Sequence, residues 1–149
     1  MPDTESPLAR YSDLPVSEGG TVTLSNAAWR ERLSPAEYRI LREQGTEAAN
    51  TGLLTNHEAK GDYHCRGCGV HLYTSEHKFH SGCGWPAFDD EVPNAITRLQ
   101  DRSFGSVRTE IRCRRCDGHL GHVFVGERLT GKNVRHCVNS ASIVFVPQG

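Results

Sequence analysis

The chain contains two C-x-x-C pairs, Cys65-Arg66-Gly67-Cys68 and Cys113-Arg114-Arg115-Cys116, and two further cysteines, Cys83 and Cys137. Two intervening residues let a tight turn place both sulfurs of a pair on one metal ion, and two such pairs are typical of a tetrahedral Zn²⁺ site. The sequence therefore predicts one structural zinc held by Cys65, Cys68, Cys113 and Cys116. Because four thiolates close the coordination sphere, we expect no chemistry on this metal.

Two other interpretations of the four paired cysteines stay open: two redox motifs, or four unrelated thiols. More residues separate Cys68 from Cys113 than the about 15 to 20 that separate the two pairs of a compact zinc ribbon. Strands within this interval would nevertheless bring the second pair close to the first. A thioredoxin-like redox motif is expected in a βαβ context, which the sequence does not predict. Zinc is therefore the favoured interpretation.

The charge balance argues against several classes of partner. Lys and Arg number 17 against 18 Asp and Glu, which gives a formal net charge of -1. No global field is expected to attract nucleic acid or a membrane surface. No apolar run reaches the ~20 residues that cross a bilayer, and the first residues show neither a secretory nor a transit pattern. We expect a cytoplasmic protein, whose paired cysteines bind metal or do redox chemistry more often than they form static disulfides.

The chain is predicted to be one domain, residues 25–149, preceded by a flexible tail, residues 1–24. Two short helices are expected at the start of the domain. Ser25 is a candidate N-cap for the first, and Ser34-Pro35-Ala36-Glu37 combines an N-cap, Pro at the first helical position and a capping box for the second. Gly45 is expected to end the second helix.

After the helices the sequence changes to short β-rich segments separated by Gly, Pro and Asn. The predicted strands include Tyr63, Val70 to Tyr73, Val107 to Ile111, His122 to Val125, and Ser142 to Val146. The last two are mostly apolar and suit interior strands. The expected architecture is mainly β, a small antiparallel sheet or barrel with short N-terminal helices.

The surroundings of the two remaining cysteines favour a chemical role. Cys137 follows Arg135 and His136, neighbours of the kind that lower a thiol pKa. Cys83 lies in the glycine-rich stretch Gly82-Cys83-Gly84-Trp85-Pro86, a loop from which its sulfur can approach another. Either cysteine alone has a plainer interpretation as a small buried apolar side chain.

Two histidines, His119 and His122, follow the second pair directly, so a metal-held turn would fix where their rings point. Imidazole donates or accepts protons near neutral pH, and a nucleophilic thiolate often needs such a partner. The alternative roles of these histidines are zinc ligands or buried core residues. Trp85, which precedes Phe88, is either a core aromatic or one wall of an apolar substrate pocket.

The order of these motifs resembles methionine sulfoxide reductase type B from about residue 25 to 147. The matching stretches, besides the two cysteine pairs, are Gly45-Thr46-Glu47, Lys78-Phe79, Ser81 to Phe88, Arg108-Thr109-Glu110, His119 to Phe124, and Cys137 to Ser142. The resemblance implies two small antiparallel sheets with N-terminal helices and a structural Cys₄ zinc opposite the active site. It also implies reduction of the R epimer of methionine sulfoxide, preferably within proteins or peptides.

Carried over by position, the resemblance makes Cys137 the nucleophile and Cys83 the resolving cysteine. The further site residues are His119, His122 and Asn139 as catalytic groups, and Trp85, Arg135, His136 and Phe88 as substrate contacts. Cys137 would attack the sulfoxide sulfur while a protonated histidine, His122 as the first choice, delivers a proton to the oxygen. The resulting sulfenic acid would condense with Cys83, and thioredoxin or a similar dithiol would reduce the disulfide. A monomer is expected.

Two departures from the family pattern bear on substrate preference. His136 stands where many relatives have an aromatic residue before the nucleophile. The stretch Ala48 to Gly52 lacks the Pro-Phe often found there. Neither change affects the predicted nucleophile, resolving cysteine or zinc ligands.

Two other functions stay open at the level of the sequence. One is a zinc-stabilised module that binds an acidic partner or RNA through Arg108, Arg112, Arg114 and Arg115. The other is a thiol sensor that forms the same disulfide with peroxide but does not turn over. The binding module gives no reason for the glycine, histidine and asparagine neighbours of the two unpaired cysteines.

Overall fold

The computed structural model describes residues 7–102, 105 and 107–148. Residues 1–6 of the predicted tail therefore lie outside the described residues. Tyr11, Leu14 and Val22 of the same segment are buried and belong to the hydrophobic core. The structure differs here from the expected flexible tail, because three apolar side chains reach the core although their irregular spacing forms no detectable period.

Two helices begin the domain, α1 (Asn26–Arg32) and α2 (Pro35–Arg42). Each begins at the predicted serine: Ser25 accepts a hydrogen bond from a backbone N–H of the first turn, and Ser34 forms the capping box with Glu37. Such a cap stabilises a helix by about 1 kcal/mol because it satisfies an orphaned backbone donor. No helix within the described residues is long and apolar enough to span a membrane.

Nine strands within the described residues form two sheets in which every pairing is antiparallel. They are β1 (Gly61–Cys65), β2 (His71–Thr74), β3 (Lys78–Phe79), β4 (Ala87–Phe88), β5 (Ile96–Asp101), β6 (Arg108–Cys113), β7 (His119–Val125), β8 (Val134–Val138) and β9 (Ile143–Pro147). The small sheet has the order β2-β1-β9, and the large sheet has the order β3-β4-β8-β7-β6-β5. The predicted mainly β fold with two antiparallel sheets and short N-terminal helices is confirmed.

The paired cysteines lie where the two sheets meet. Cys65 is the last residue of β1 and Cys113 the last of β6, so the cluster of four buried sulfurs joins the small sheet to the large one. The two helices cover this cluster: Trp29 of α1 lies beside the turn of the first pair, and Leu41 of α2 beside the turn of the second. The helices therefore shield the cysteine cluster from solvent.

Candidate active site

The pairing of β7 with β8 brings the candidate chemical groups together. His122 of β7 lies directly opposite Cys137 of β8. Gly121, between the two predicted histidines, lies so close to β8 that a Cβ added to it would collide with the Cys137 carbonyl oxygen. Glycine is required at this position because only a residue without Cβ permits the approach. Gly121 therefore lets the histidines and Cys137 share one site.

These strands border a cleft of about 220 Å³. Its lining residues are Thr46, Cys83, Trp85, Arg108, His119, Gly121, His122, Phe124, Arg135, Cys137 and Asn139. The structure thus brings together all five predicted catalytic residues and two of the four predicted substrate contacts, Trp85 and Arg135. The chemical roles assigned to them stay predictions.

The sulfurs of Cys83 and Cys137 lie 3.0 Å apart at this cleft. Cys83 is on a loop in which Gly82 and Gly84 both have a positive φ, 79° and 93°. Residues with a side chain rarely adopt this conformation, so the two glycines give the loop the turn that brings Cys83 to β8. From this separation a small movement suffices to form a disulfide.

The contact makes the two thiols share a proton. The hydrogen bond between the sulfurs lowers the pKa of Cys83 to about 5, and the same bond, together with burial, raises the pKa of Cys137. Arg135 acts in the predicted direction and lowers the pKa of Cys137, but the Cys83 contact and burial outweigh it in the reduced pair. The Cys83 sulfur also lies 3.4 Å from the Trp85 carbonyl oxygen, to which a Cys83 S–H can donate.

Glu110 holds the first histidine. Its carboxylate lies 2.7 Å from Nδ1 of His119, and both side chains are buried. Gln44 and Arg112 also donate hydrogen bonds to this carboxylate. Nε2 of His119 has no hydrogen-bond partner among the residues that the structure describes, and the ring lines the cleft. Burial lowers the pKa of His119, and the Glu110 charge offsets only part of this effect, so the ring is neutral near pH 7.

Asp101 holds the second histidine. Its carboxylate lies 2.8 Å from Nε2 of His122, whose side chain is more exposed than that of His119. The two imidazole rings are 5.6 Å apart and inclined at 69°. A different carboxylate therefore orients each histidine, and the two rings differ in burial.

Backbone contacts fix two other predicted residues. The Trp85 indole N–H donates to the Glu47 carbonyl oxygen at 3.0 Å. The buried Asn139 accepts from the Glu47 backbone N–H at 3.0 Å and donates to the Leu120 carbonyl oxygen at 3.1 Å. Asn139 thus links the backbone at Glu47 to β7, and the Glu47 carbonyl keeps the Trp85 ring in place.

The Arg135 side chain reaches the cleft along β8. It pairs with Glu127, with N–O distances of 2.7 and 2.9 Å, and lies over the Phe124 ring at 4.4 Å. These contacts hold a positive charge close to the thiol pair. Arg135 is therefore the cation that favours a thiolate on Cys137.

His136 and Phe88, the other predicted substrate contacts, do not line the cleft. Successive residues of a strand point to opposite faces, so His136 lies on the other side of β8 from Cys137. His136 is fully buried, 3.0 Å from the Tyr73 hydroxyl, and burial lowers its pKa to about 4. Phe88 is also fully buried and stacks on Tyr73 with 4.3 Å between ring centroids. The prediction of substrate contact is corrected for both, which belong to the core.

The segment from Ala48 to Gly52, which departs from the family pattern, borders the Cys83 loop. The Asn50 backbone N–H donates to the Gly84 carbonyl oxygen at 2.7 Å. Ala49 packs against Gly84 so closely that a Cβ on Gly84 would lie 2.8 Å from the Ala49 methyl group. This segment therefore supports the loop that carries the resolving-cysteine candidate.

The four paired cysteines form a separate buried cluster. The Cys65 and Cys116 sulfurs are 3.6 Å apart, as are those of Cys68 and Cys113, and all four lie within 4.8 Å of one another. Sulfurs bound at about 2.3 Å to a tetrahedral zinc are roughly 3.8 Å apart, so the cluster has the dimensions of such a site. The Gly67 backbone N–H points to the Cys65 sulfur at 3.3 Å, which suits a thiolate. The cluster can hold a metal ion, and none of its members lines the cleft.

Glu110, Asp101 and Phe124 are absent from the site residues that the sequence predicts. Glu110 carried a weak signal, since it lies in a predicted strand next to the apolar Ile111, and an acidic residue needs a partner when it is buried. Asp101 carried none, because the strand that it ends was not predicted. Phe124 was assigned to the core, as an aromatic residue in an apolar strand usually is.

Comparison with known proteins agrees with this geometry. The SelR domain matches residues 33–147. The peptide methionine sulfoxide reductase MsrB of Synechococcus sp. (strain RCC307) is 52% identical over 125 residues, which are 83% of this chain and 91% of that protein. The chain belongs to the methionine sulfoxide reductase B family.

Further relatives in this family cover similar shares of the chain. MsrB of Agrobacterium fabrum (strain C58 / ATCC 33970) is 50% identical over 128 residues, 85% of this chain and 93% of that protein. Peptide methionine sulfoxide reductase B3 of Arabidopsis thaliana is 47% identical over 137 residues, 91% of this chain and 77% of that protein. In this member of the MsrB family, the described cleft contains both unpaired cysteines.

Replacing Cys137 with alanine is expected to raise the pKa of Cys83 from about 5 toward the ordinary thiol value of about 8.5, because the Cys137 hydrogen bond is the main cause of the lowering. In the reduced wild-type pair, Cys83 should stay a thiolate down to about pH 5, because its pKa is lowered. In Cys137→Ala, Cys83 should become protonated below about pH 8. Iodoacetamide labelling at a series of pH values, read by mass spectrometry of the Cys83 peptide, measures the midpoint.

Ser81→Ala is the matched control, because it removes a weaker hydrogen bond to the same residue and should move the midpoint less. A midpoint for Cys83 that stays near 5 in Cys137→Ala would contradict the shared proton.

Proposed function

We propose that this protein reduces methionine (R)-sulfoxide in oxidised proteins or peptides, with Cys137 as nucleophile and Cys83 as resolving cysteine. The observation that carries the proposal is the 3.0 Å contact between these two sulfurs in the cleft that the histidines line. The relatives named peptide methionine sulfoxide reductase support the same reaction. No redox cofactor is needed, because both electrons come from the thiol pair.

The first step oxidises Cys137. Its thiolate attacks the sulfoxide sulfur, and one proton is delivered to the oxygen. The hydroxyl group then moves from the methionine sulfur to the Cys137 sulfur, so the S–O bond of the substrate and the transient bond between the two sulfurs break as a new S–O bond forms on Cys137. The products are methionine and a Cys137 sulfenic acid, so the sulfoxide gains the two electrons that Cys137 loses. We assign the proton to His122, because Asp101 orients its ring at the cleft while His119 is buried and neutral.

The second step resolves the sulfenic acid. Cys83 attacks the Cys137 sulfur, an S–S bond forms, the S–O bond of the sulfenic acid breaks, and the oxygen leaves as water with the proton that Cys83 gives up. The 3.0 Å contact means that this step needs little movement of the Cys83 loop. Thioredoxin or a similar dithiol would then reduce the disulfide by exchange and regenerate both thiols.

The substrate would occupy the cleft beside its aromatic residues. We assign the methyl group of methionine sulfoxide to the Trp85 ring, which the Glu47 carbonyl holds in place. Phe124 adds a second apolar surface under the Arg135 guanidinium. Apolar contact on one side and polar groups at the sulfoxide would orient the sulfur toward Cys137.

We further propose that the four-cysteine cluster binds one Zn²⁺ ion in a structural role. The tetrahedral spacing of its sulfurs and their burial support this assignment. When bound, the ion would stabilise the junction of the two sheets, and four thiolates would leave it no open position.

The two alternative functions differ from this proposal in measurable ways. Two of the four arginines of the alternative binding module have other positions or partners. Arg112 pairs with Glu110 and Asp117, while Arg108 lies at the cleft. A thiol sensor would form the same Cys83–Cys137 disulfide but would not turn over methionine sulfoxide. The cytoplasmic location and the monomeric state stay predictions.

Wild-type protein is expected to reduce the R epimer of a blocked methionine sulfoxide with dithiothreitol and to leave the S epimer, whereas Cys137→Ser should lose this activity because oxygen is a far weaker nucleophile than the thiolate. Separation of the epimers by chromatography measures both. Absence of R-specific turnover in the wild type, or full activity in Cys137→Ser, would contradict the proposal.

Cys83→Ser is the matched control in the same assay. It should keep turnover with dithiothreitol, which can reduce the sulfenic acid directly, and lose most turnover with thioredoxin, which acts on the disulfide. Equal losses with both reductants would contradict the resolving role.

Glu110→Gln should lower kcat by roughly tenfold, because the neutral amide no longer fixes the tautomer of His119. This loss is part of the roughly 10²- to 10⁴-fold rate enhancement that a general acid or base supplies. The Glu110 charge raises the pKa of His119, so its removal should shift any limb of the pH–kcat profile that reports His119 to lower pH. Steady-state kinetics across the pH range measure both effects.

Glu76→Gln makes the same change of charge at an exposed residue outside the cleft and should match wild type. A Glu110→Gln enzyme with unchanged kcat and pH profile would show that Glu110 does not position His119 for the reaction.

Metal analysis after brief dialysis against a chelator should find one tightly held zinc per chain, and Cys68→Ser should lose it. Structural zinc contributes on the order of 10 kcal/mol in small zinc domains, so the variant should unfold at a much lower temperature. Cys83→Ser, a thiol outside the cluster, should retain the zinc. Much less than one zinc in wild type would overturn the assignment.

A further inference from the structure

The small sheet carries a second group of metal-ligand side chains, separate from the cysteine cluster. Asp62 and His64 are two residues apart on β1, and His71 is the first residue of β2. The β1–β2 pairing has a bulge between Tyr63 and His64, and this shift places His64 directly opposite His71. The topology therefore brings two imidazoles and one carboxylate together at a sheet edge.

The ligand atoms of these three residues all lie within 4.8 Å of one another. Nε2 of His71 is 3.1 Å from the Tyr73 carbonyl oxygen, so an ion bound at Nε2 would displace the proton that is donated there. The same nitrogen is 3.3 Å from the Asp62 carboxylate oxygen. Two ligands at about 2.1 Å from a tetrahedral zinc are roughly 3.4 Å apart, so this pair is already at the separation of two ligands on one ion. The rings of His64 and His71 are nearly parallel, at 17°, with centroids 4.9 Å apart.

A backbone contact fixes the His64 ring. Nδ1 of His64 lies 2.8 Å from the Gly69 carbonyl oxygen, an acceptor that requires the proton on Nδ1. Nε2 then presents a lone pair. A metal-binding histidine usually donates its other ring N–H in this way, because the hydrogen bond sets the tautomer and the direction of the ring.

We propose that Asp62, His64 and His71 form a second binding site for a divalent ion of the zinc class. Two imidazoles and one carboxylate are the ligands of open zinc sites, in which water completes the coordination. All three side chains are partly exposed, so an ion can enter from solvent. Cys65, which follows His64 on β1, is fully buried and belongs to a different group of ligand atoms, so the two sites are separate.

The plainer interpretation is an ion pair between His71 and Asp62 beside a stacked histidine. That interpretation explains the 3.3 Å contact, but it assigns no role to the fixed direction of the His64 ring. His80 and Glu58 provide such an ordinary pair elsewhere on the protein, at 3.6 Å and without a third ligand in the same metal-ligand group. His80 and Glu58 therefore supply the control residues for a test of metal binding.

The test is calorimetric titration of the full zinc-loaded chain with additional Zn²⁺, in a Cys83→Ser/Cys137→Ser background that removes the cleft thiols as competing ligands. One further equivalent of Zn²⁺ should bind. Asp62→Asn and His71→Asn should each weaken this binding by at least about tenfold, the lower end of the effect seen even for residues behind the ligands. His80→Asn should leave it unchanged.

Histidine ring signals in the NMR spectrum of the background protein provide a readout that needs no ligand variant. The signals of His64 and His71 should shift in proportion to added zinc up to one equivalent, whereas those of His80 should not. No binding beyond the cysteine cluster, or binding that survives both Asp62→Asn and His71→Asn, would overturn the site. None of the three residues lines the cleft, so the result is independent of the reductase assay.

Discussion

Four buried sulfurs pack together where the two sheets of this protein meet. Cys65 ends β1 of the small sheet, Cys113 ends β6 of the large sheet, and each strand runs straight into the turn of its own C-x-x-C pair. The second turn closes with a 2.8 Å bond from the Cys113 N–H to the Gly118 carbonyl oxygen, and β7 begins at the next residue. The turn of the second pair therefore leads directly into the strand that carries His119 and His122, although the cluster lies outside the cleft.

Much of the fold was predictable because its signals are local. The capping box at Ser34 and the cysteine turns depend on residues a few positions apart, and the structure has both. The β5 strand was missed because its six residues are largely exposed and follow no apolar alternation. The strands β3 and β4 have two residues each, too few for any period, and exist only through pairing with their neighbours.

The site was predictable to the extent that its chemistry resides in distinctive residue types. Cys83, Cys137 and the two histidines stand out by type and by their glycine-rich or metal-held surroundings. His136 was misplaced because its adjacency to Cys137 along the chain was treated as adjacency in the site, whereas strand alternation places neighbours on opposite faces. The carboxylate partners of the two histidines depend on which strands pair with one another, and strand pairing cannot be read from the sequence.

The thiol pair supplies part of what the proposed reaction needs. Forming one disulfide and one water from a sulfoxide requires two thiol sulfurs and two protons. A pair that shares one proton supplies both sulfurs, one proton and one negative charge, because the pKa of Cys83 is lowered while that of Cys137 is raised. The second proton must then come from another acid at the cleft. Asp101 orients the His122 ring there, and this contact supports the proposed delivery of the proton by His122 rather than by the more deeply buried His119.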